Sequence, residues 1–334
     1  MRARDILWPL AMGIIVTGSL TSCRTTGKAT GSASDEADRE VILRGNSPQV
    51  ARFATWLDQL DKTMKGCTPK DAAELLVAEN ARETAFSIQA LGRLYSDQDP
   101  RFVSLRLTYK KLEDTIGEYA KWVDMLNHAN SEQSEQAVKD RLSSKRDAAR
   151  TALETFLVSS NLVPSDPDAA SYNQTFRSFL NGFVWKDAST DREDMLNAIR
   201  NELEVIKTTP YDFSHLEEGN GIHDFRHKVR WINREVRSLN GMIVLNPNTA
   251  PCSVTAYAGL INDPISKTKY AVLPGAVTEP NPAFITPCLY IEMAKIVDVV
   301  GLIKGIIEVA ANIGTSGEPL DSVKDTDKVA VQKS

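Results

Sequence analysis

The chain is poor in the residues that carry most enzyme chemistry. It has four histidines, His128, His215, His223 and His227, and no H-E-x-x-H or C-x-x-C spacing. A zinc site therefore lacks its ligand pattern, and no metal or cofactor is expected. There is no G-x-S-x-G elbow and no glycine-rich loop followed by Lys-Ser/Thr, which removes the signatures of two large hydrolase classes. His223 and Asp224 are neighbours in sequence but diverge by about 100° on a helix. Glu217 and Glu218 read as a solvated loop pair. No catalytic residue emerges, and the expectation is a protein that is not an enzyme. Aromatic residues are sparse at 7%, and the net charge is −5, which argues against a broad nucleic-acid surface. After the first twenty residues no apolar run is long enough to span a membrane; Val297–Ala311 comes closest, interrupted by Lys304 and Glu308.

What is present begins at the N-terminus. Arg2 and Arg4 precede an uncharged stretch from Ile6 to Leu20, shorter than the roughly 20 residues of a spanning helix and suited to the apolar region of a signal peptide. It ends Leu20-Thr21-Ser22-Cys23, which resembles the lipobox of bacterial lipoproteins. The resemblance implies cleavage after residue 22 and lipid on Cys23. Residues 23–46 are small and polar and read as a flexible tether. Arg24 is not the aspartate that holds such lipoproteins at the inner membrane. The implied location is the cell envelope, facing the periplasm and anchored by lipid, at the outer membrane rather than the inner one. Of the remaining cysteines, Cys252 and Cys288 flank one loop-rich segment and are expected to pair as a disulfide, worth about 4 kcal/mol in the chain-entropy view; Cys67 is left over.

From Ser47 onward the apolar spacing is helical. Val50, Phe53, Trp56, Leu57 and Leu60 predict a helix over Pro48–Lys65. Further helices are predicted from about Lys70 to Tyr95, over Phe102–Asn127, Ser131–Val158, Ser171–Val184, Asp191–Lys207, Ile222–Leu239 and Cys288–Ile313. Trp56, Trp122, Trp185 and Trp231 are read as core, with Trp231 nearest the basic residues of its helix. Residues 240–287 differ in kind, with seven prolines from Pro247 to Pro287. They read as an insertion in which Val254–Leu260 and Lys269–Leu273 form a small hairpin. Residues 314–334 are charged and polar and read as a disordered tail.

One helix carries a signal. Between Gly221 and Arg237, the residues His223, Arg226, Arg230, Arg234 and Arg237 fall within about 80° of arc. Phe225, Val229, Ile232, Val236 and Leu239 form a separate apolar stripe. Like charges in one column repel, and a polyanion lying along them relieves that repulsion; arginine suits phosphate because its planar fork is bidentate. Salt bridges to neighbouring acidic helices are the other outlet for the same charges, and 44 acidic residues are available.

The spacing of His223, Arg226 and Arg230, with Arg234 after them, resembles the second signature helix of conserved-histidine α-helical (CHAD) domains, which bind polyphosphate. Asn233 stands where that family usually has arginine. The resemblance implies a mainly α fold of two pseudo-repeated antiparallel helical bundles around a basic channel, covering 47–313 with the insertion inside it. It also implies an earlier copy of the helix. A shift of 144 residues gives Glu79, Arg82, Phe86, Ala90 and Arg93, so half of the cations are replaced.

Two functions follow as expectations. In the first, the protein is a non-enzymatic polyanion binder, with polyphosphate or another phosphate-rich anion held by His223, Arg226, Lys228, Arg230, Arg234 and Arg237, joined by Arg82 and Arg93. In the second, the fold has lost its ligand and serves as a structural lipoprotein that contacts an envelope protein; there Glu79 pairs with Arg226 or Arg230 and closes the channel.

Overall fold

The computed structural model describes residues 47–166, 168–212, 220–246, 264–268, 271–273, 279 and 281–313, without the side chains of Ser266 and 302–313. The signal, lipobox and tether residues, the tail, Cys252 and Val254–Leu260 lie outside them. Among the described residues the chain is mainly helical. Its helices are α1 (Pro48–Met64), α2 (Pro69–Ala78), α3 (Arg82–Leu94), α4 (Pro100–Ser131), α5 (Gln136–Ser159), α6 (Tyr172–Gly182), α7 (Ala188–Thr208), α8 (Ile222–Ser238) and α9 (Pro287–Ile313).

Local chemistry starts most of them. Proline occupies the first turn of α1, α2 and α4, where its missing N–H costs nothing. Ser47, Thr68, Asp99 and Asp187 accept first-turn backbone N–H groups, and Ser171 with Gln174 forms a capping box. The helix predicted from Lys70 to Tyr95 is two helices. Asn80 adopts φ 53° between them, a left-handed conformation that asparagine tolerates and that the apolar spacing on either side conceals.

One large core cluster runs through the bundle, with Phe86, Ala90 and Trp231 forming a smaller one. Phe53, Leu57, Leu60, Leu76, Ile88, Leu91, Leu105 and Tyr109 are fully enclosed, and Phe53, Tyr95, Phe102, Phe176 and Trp185 pack ring to ring. Trp56, Trp122 and Trp231 are buried as expected. Helices α3 and α4 pack on each other, α3 on α8, α8 on α9, and α9 touches α4, so these four enclose a common centre. The tightest approach is at Gly92. A Cβ there would stand 3.0 Å from both the Arg106 nitrogen and the Phe102 carbonyl oxygen of α4. Gly92→Ala is expected to destabilise the protein by about 1–3 kcal/mol, because backbone cannot give way as a side chain can; a melting temperature equal to or above the parent's would show that α4 moves freely.

Most of the hairpin expected from Val254–Leu260 and Lys269–Leu273 lies outside the described residues. Lys269 and Tyr270 lie outside the described residues, and Ala271–Leu273 is not a strand. Instead β1 (Ile243–Leu245) pairs in parallel with β2 (Ala283–Ile285), in register Ile243–Ala283, Val244–Phe284 and Leu245–Ile285. The two ends of the segment thus lie side by side. A short 3-10 turn at Pro264–Lys267 packs on α9 through Ile265, with Ala271, Ile291 and Ala294.

Candidate functional site

The site is built on α8. Its apolar stripe is buried as the spacing predicts: Val229, Ile232, Val236 and Leu239 are at most 5% exposed. The basic residues then divide among three surroundings. Arg230 and Arg234 lie over the Phe86 ring, each guanidinium carbon 4.9 Å from its centroid, and Arg82 of α3 approaches the same ring at 5.5 Å. Phe86 meets Trp231 edge-on at 6.1 Å. Arg93 of α3 covers Trp231 at 5.2 Å. Four guanidinium groups from two helices therefore surround one aromatic pair, an arrangement stabilised by the ring quadrupoles.

Carboxylates answer part of this charge. Arg234 is 2% exposed and donates to Glu83. Arg82 donates through Nε at 2.7 Å and Nη2 at 2.5 Å to one oxygen of Glu113. Arg93 donates to Glu202 of α7, and its Nε stands 3.4 Å from Glu235. The Glu79 pairing expected across the centre is corrected. Glu79 caps α2 and accepts from the Thr63 hydroxyl at 2.7 Å; Glu83, one turn later, is the residue that reaches the column. The two glutamates are four apart, and the break at Asn80 decides which one faces inward.

Other predicted residues sit apart. Arg226 donates from Nε to the Val297 carbonyl at 2.8 Å and lies against Gly301 of α9, where a Cβ would collide with its guanidinium. Arg237 donates to the Val272 carbonyl at 2.8 Å, in the 240–287 segment. Lys228 faces the other way, donating to the Thr209 hydroxyl at 3.2 Å and lying over Tyr211. Cys23 and Cys252 lie outside the described residues. Cys288 lies in the first turn of α9, and the Cys67 thiol donates to the Thr63 carbonyl at 3.7 Å.

The structure adds residues that the spacing did not single out. His227 stacks on His223 at 6.1 Å and meets Trp231 edge-on at 6.0 Å. Burial, then the positive charges of Arg230, His223, Arg93 and Lys110, hold its pKa down to about 4. Those groups come from α8, α3 and α4, and each disfavours the charged imidazole. Glu235 is the counterpart. It is fully enclosed, neither carboxylate oxygen has a hydrogen-bond partner, and burial followed by repulsion from Glu202 pushes it up to about 8 against the pull of Arg93. It is neutral through most of the physiological range. His227 was visible as the fourth residue after His223. Glu235 was visible only as a charge four residues after Trp231, on the same helix face.

A second buried ion cluster lies outside this site. Arg52 of α1 is 1% exposed. It is bidentate to Glu279, at 2.7 and 2.8 Å, and its Nη1 donates to Asp191 of α7 at 2.6 Å and to the Tyr95 hydroxyl oxygen at 2.5 Å. Glu279 belongs to the 240–287 segment, and its backbone N–H donates to the Gly241 carbonyl. Arg192 of α7 donates to the Asn281 carbonyl. These bonds fasten the segment to the bundle. The signal for Arg52 was its four-residue spacing to Trp56 and Leu60, which places a charge in an apolar stripe.

Among the described residues no group of three or more His, Cys, Asp or Glu side chains could hold a metal, and no helix is long and apolar enough to cross a membrane. Against family models, curated proteins and solved structures alike, the chain has no match.

Proposed function

We propose that this chain is a lipid-anchored, non-enzymatic protein of the bacterial envelope that binds a polyanion, polyphosphate or another phosphate-rich molecule, in the centre enclosed by α3, α4, α8 and α9. The observation that carries the reading is the clustering of Arg82 and Arg93 from α3 with Arg230 and Arg234 from α8 around Phe86 and Trp231, beside His227, where burial first and then the charges of Arg230, His223, Arg93 and Lys110 disfavour a proton. Opposite charge is what such a cluster attracts, and each charge-assisted hydrogen bond to phosphate contributes about 1.5–3 kcal/mol.

The CHAD-like arrangement in two pseudo-repeated halves belongs to this proposal. The shift of 144 residues takes Arg82 to Arg226. Arg82 lies against Gly117 of α4 as Arg226 lies against Gly301 of α9, which supports α3–α4 and α8–α9 as related pairs. The lipobox-like ending at Cys23 supports the anchor, and residues 240–287 are the insertion, closed in this proposal by a Cys252–Cys288 disulfide.

The binding surface is narrower than the full column. Arg234 serves the interior through Glu83, while Arg230, His223, His227, Arg93 and Lys110 form the receptive part, Arg93 and Lys110 exchanging their carboxylates, Glu202 and Asp114, for phosphate. Arg230→Ala combined with Lys110→Ala is expected to weaken binding of long-chain polyphosphate at least about tenfold in low salt, with wild-type binding falling steeply as salt is added. Calorimetric titration checks it; undetectable binding by the parent protein, or binding indifferent to the double substitution, overturns the reading.

The ion pairs Arg234–Glu83 and Arg82–Glu113 favour a second reading, in which the centre is a self-neutralised core and the lipoprotein is a scaffold that contacts an envelope protein. The same titration separates the two, because a scaffold leaves polyphosphate unbound.

A further inference from the structure

The proposed site contains an anion of its own. Glu113, on α4, is 4% exposed at its side chain, while Arg82, which donates twice to its Oε1, is 42% exposed. The other oxygen of Glu113 stands 3.9 Å from Nζ of Lys110, which donates to Asp114 at 2.5 Å and is one of the cations acting on His227. One buried carboxylate thus engages two cations at the edge of the anion site. Its charge is held there at a cost, since burial raises its proton affinity and Asp114 adds repulsion, with Arg82 and Lys110 opposing both. Arg82 has supports besides Glu113. Its guanidinium lies in the gap left by Gly117, close to Phe86, so the cation stays near the site when the carboxylate charge is removed.

We propose that Glu113 is a built-in counter-anion that sets the affinity of the site, engaging Arg82 and Lys110 until a phosphate group takes its place. The proposal rests on the polyanion reading and names its affinity-determining residue. Glu83 does not share the role. Its partner Arg234 is enclosed, so an incoming anion cannot reach that guanidinium without opening the core.

The consequence is that removing the charge of Glu113 strengthens binding. Glu113→Gln keeps the shape of the side chain and is expected to bind linear inorganic polyphosphate about tenfold more tightly than the parent, the order expected of an added charge-assisted contact. Its affinity should also fall more steeply with salt, because more ions are displaced. Arg82→Ala added to Glu113→Gln should cancel the gain. Glu113→Ala is measured beside it, and melting curves establish that each variant is folded. A parent that binds polyphosphate and folded variants that bind it no more tightly would overturn the role of Glu113 and leave the polyanion reading standing. A parent without affinity whose Glu113→Gln variant binds would support Glu113 as the blocking anion while removing native binding. Silence from both would overturn the two together.

Discussion

Arg52→Met is expected to cost about 3–5 kcal/mol, a large share of the stability of an ordinary folded domain. Methionine keeps the unbranched apolar stem of arginine but ends two atoms short of the guanidinium nitrogens, so packing along the stem is retained. What changes is charge. The carboxylates of Asp191 and Glu279 and the phenol of Tyr95 all converge on this guanidinium, and Asp191 is 1% exposed with its second oxygen already lacking a hydrogen-bond partner. Removing one member of a buried ionic group leaves the others charged and desolvated, which is where the penalty arises. Denaturant unfolding measures it. Adding Asp191→Asn and Glu279→Gln to Arg52→Met should restore part of the loss, since no charge is then orphaned. A single variant within about 1 kcal/mol of the parent would show that water enters the cluster freely.

Glu235 gives the second large effect, and its sign is set by direction of shift. Its pKa rises from 4.5 to about 8 on folding, so between those values the folded chain binds more protons than the unfolded one. Stability is therefore fully present below about pH 4.5 and is lost as pH rises through 8. His227 has the opposite sign. Its pKa falls from 6.5 to about 4, so it costs stability as pH falls through that window. Below pH 6.5 the two partly cancel. Between about 6.5 and 8 the Glu235 contribution stands alone, and the parent protein should lose stability there. Glu235→Gln should flatten that slope and be the more stable protein at about pH 8.5. Melting curves from about pH 5 to 9 decide it; equal slopes for parent and variant would show that Glu235 is ionised throughout.

Much of the helical framework can be read from the residues themselves. Pro48, Pro69 and Pro100 begin three helices, and the polar residue before each one caps it. The Phe225–Leu239 stripe of α8 packs inward as its spacing requires. The failures share a physical cause. Periodicity tells which side chains share a face, but not what stands opposite. It brought Arg226, Arg230 and Arg234 onto one face, yet it could not tell that Glu83 would meet Arg234 while Glu79 turned to Thr63. It placed Arg52 on the face of Trp56 and Glu235 on that of Trp231, but not what would stand near them, because Asp191, Glu279 and Arg93 lie on elements remote in sequence. The parallel pairing of β1 and β2 was hidden for a related reason: three-residue strands carry too little alternation to announce themselves.

The Arg52–Glu279 bond joins residues 227 positions apart, and that distance has a meaning in time. Helix α1 precedes the other described helices, and Arg52 meets Asp191 first and its second counter-charge, Glu279, only when most of the chain has been synthesised. Until then a guanidinium destined for the interior must stay hydrated, so the end of α1 nearest Arg52 cannot settle into its final packing. Contacts between such distant residues are slow to form, because a long loop must close before they contribute. Sealing this corner of the bundle is thus a late event in folding, and a chain shortened before Glu279 would lack it altogether.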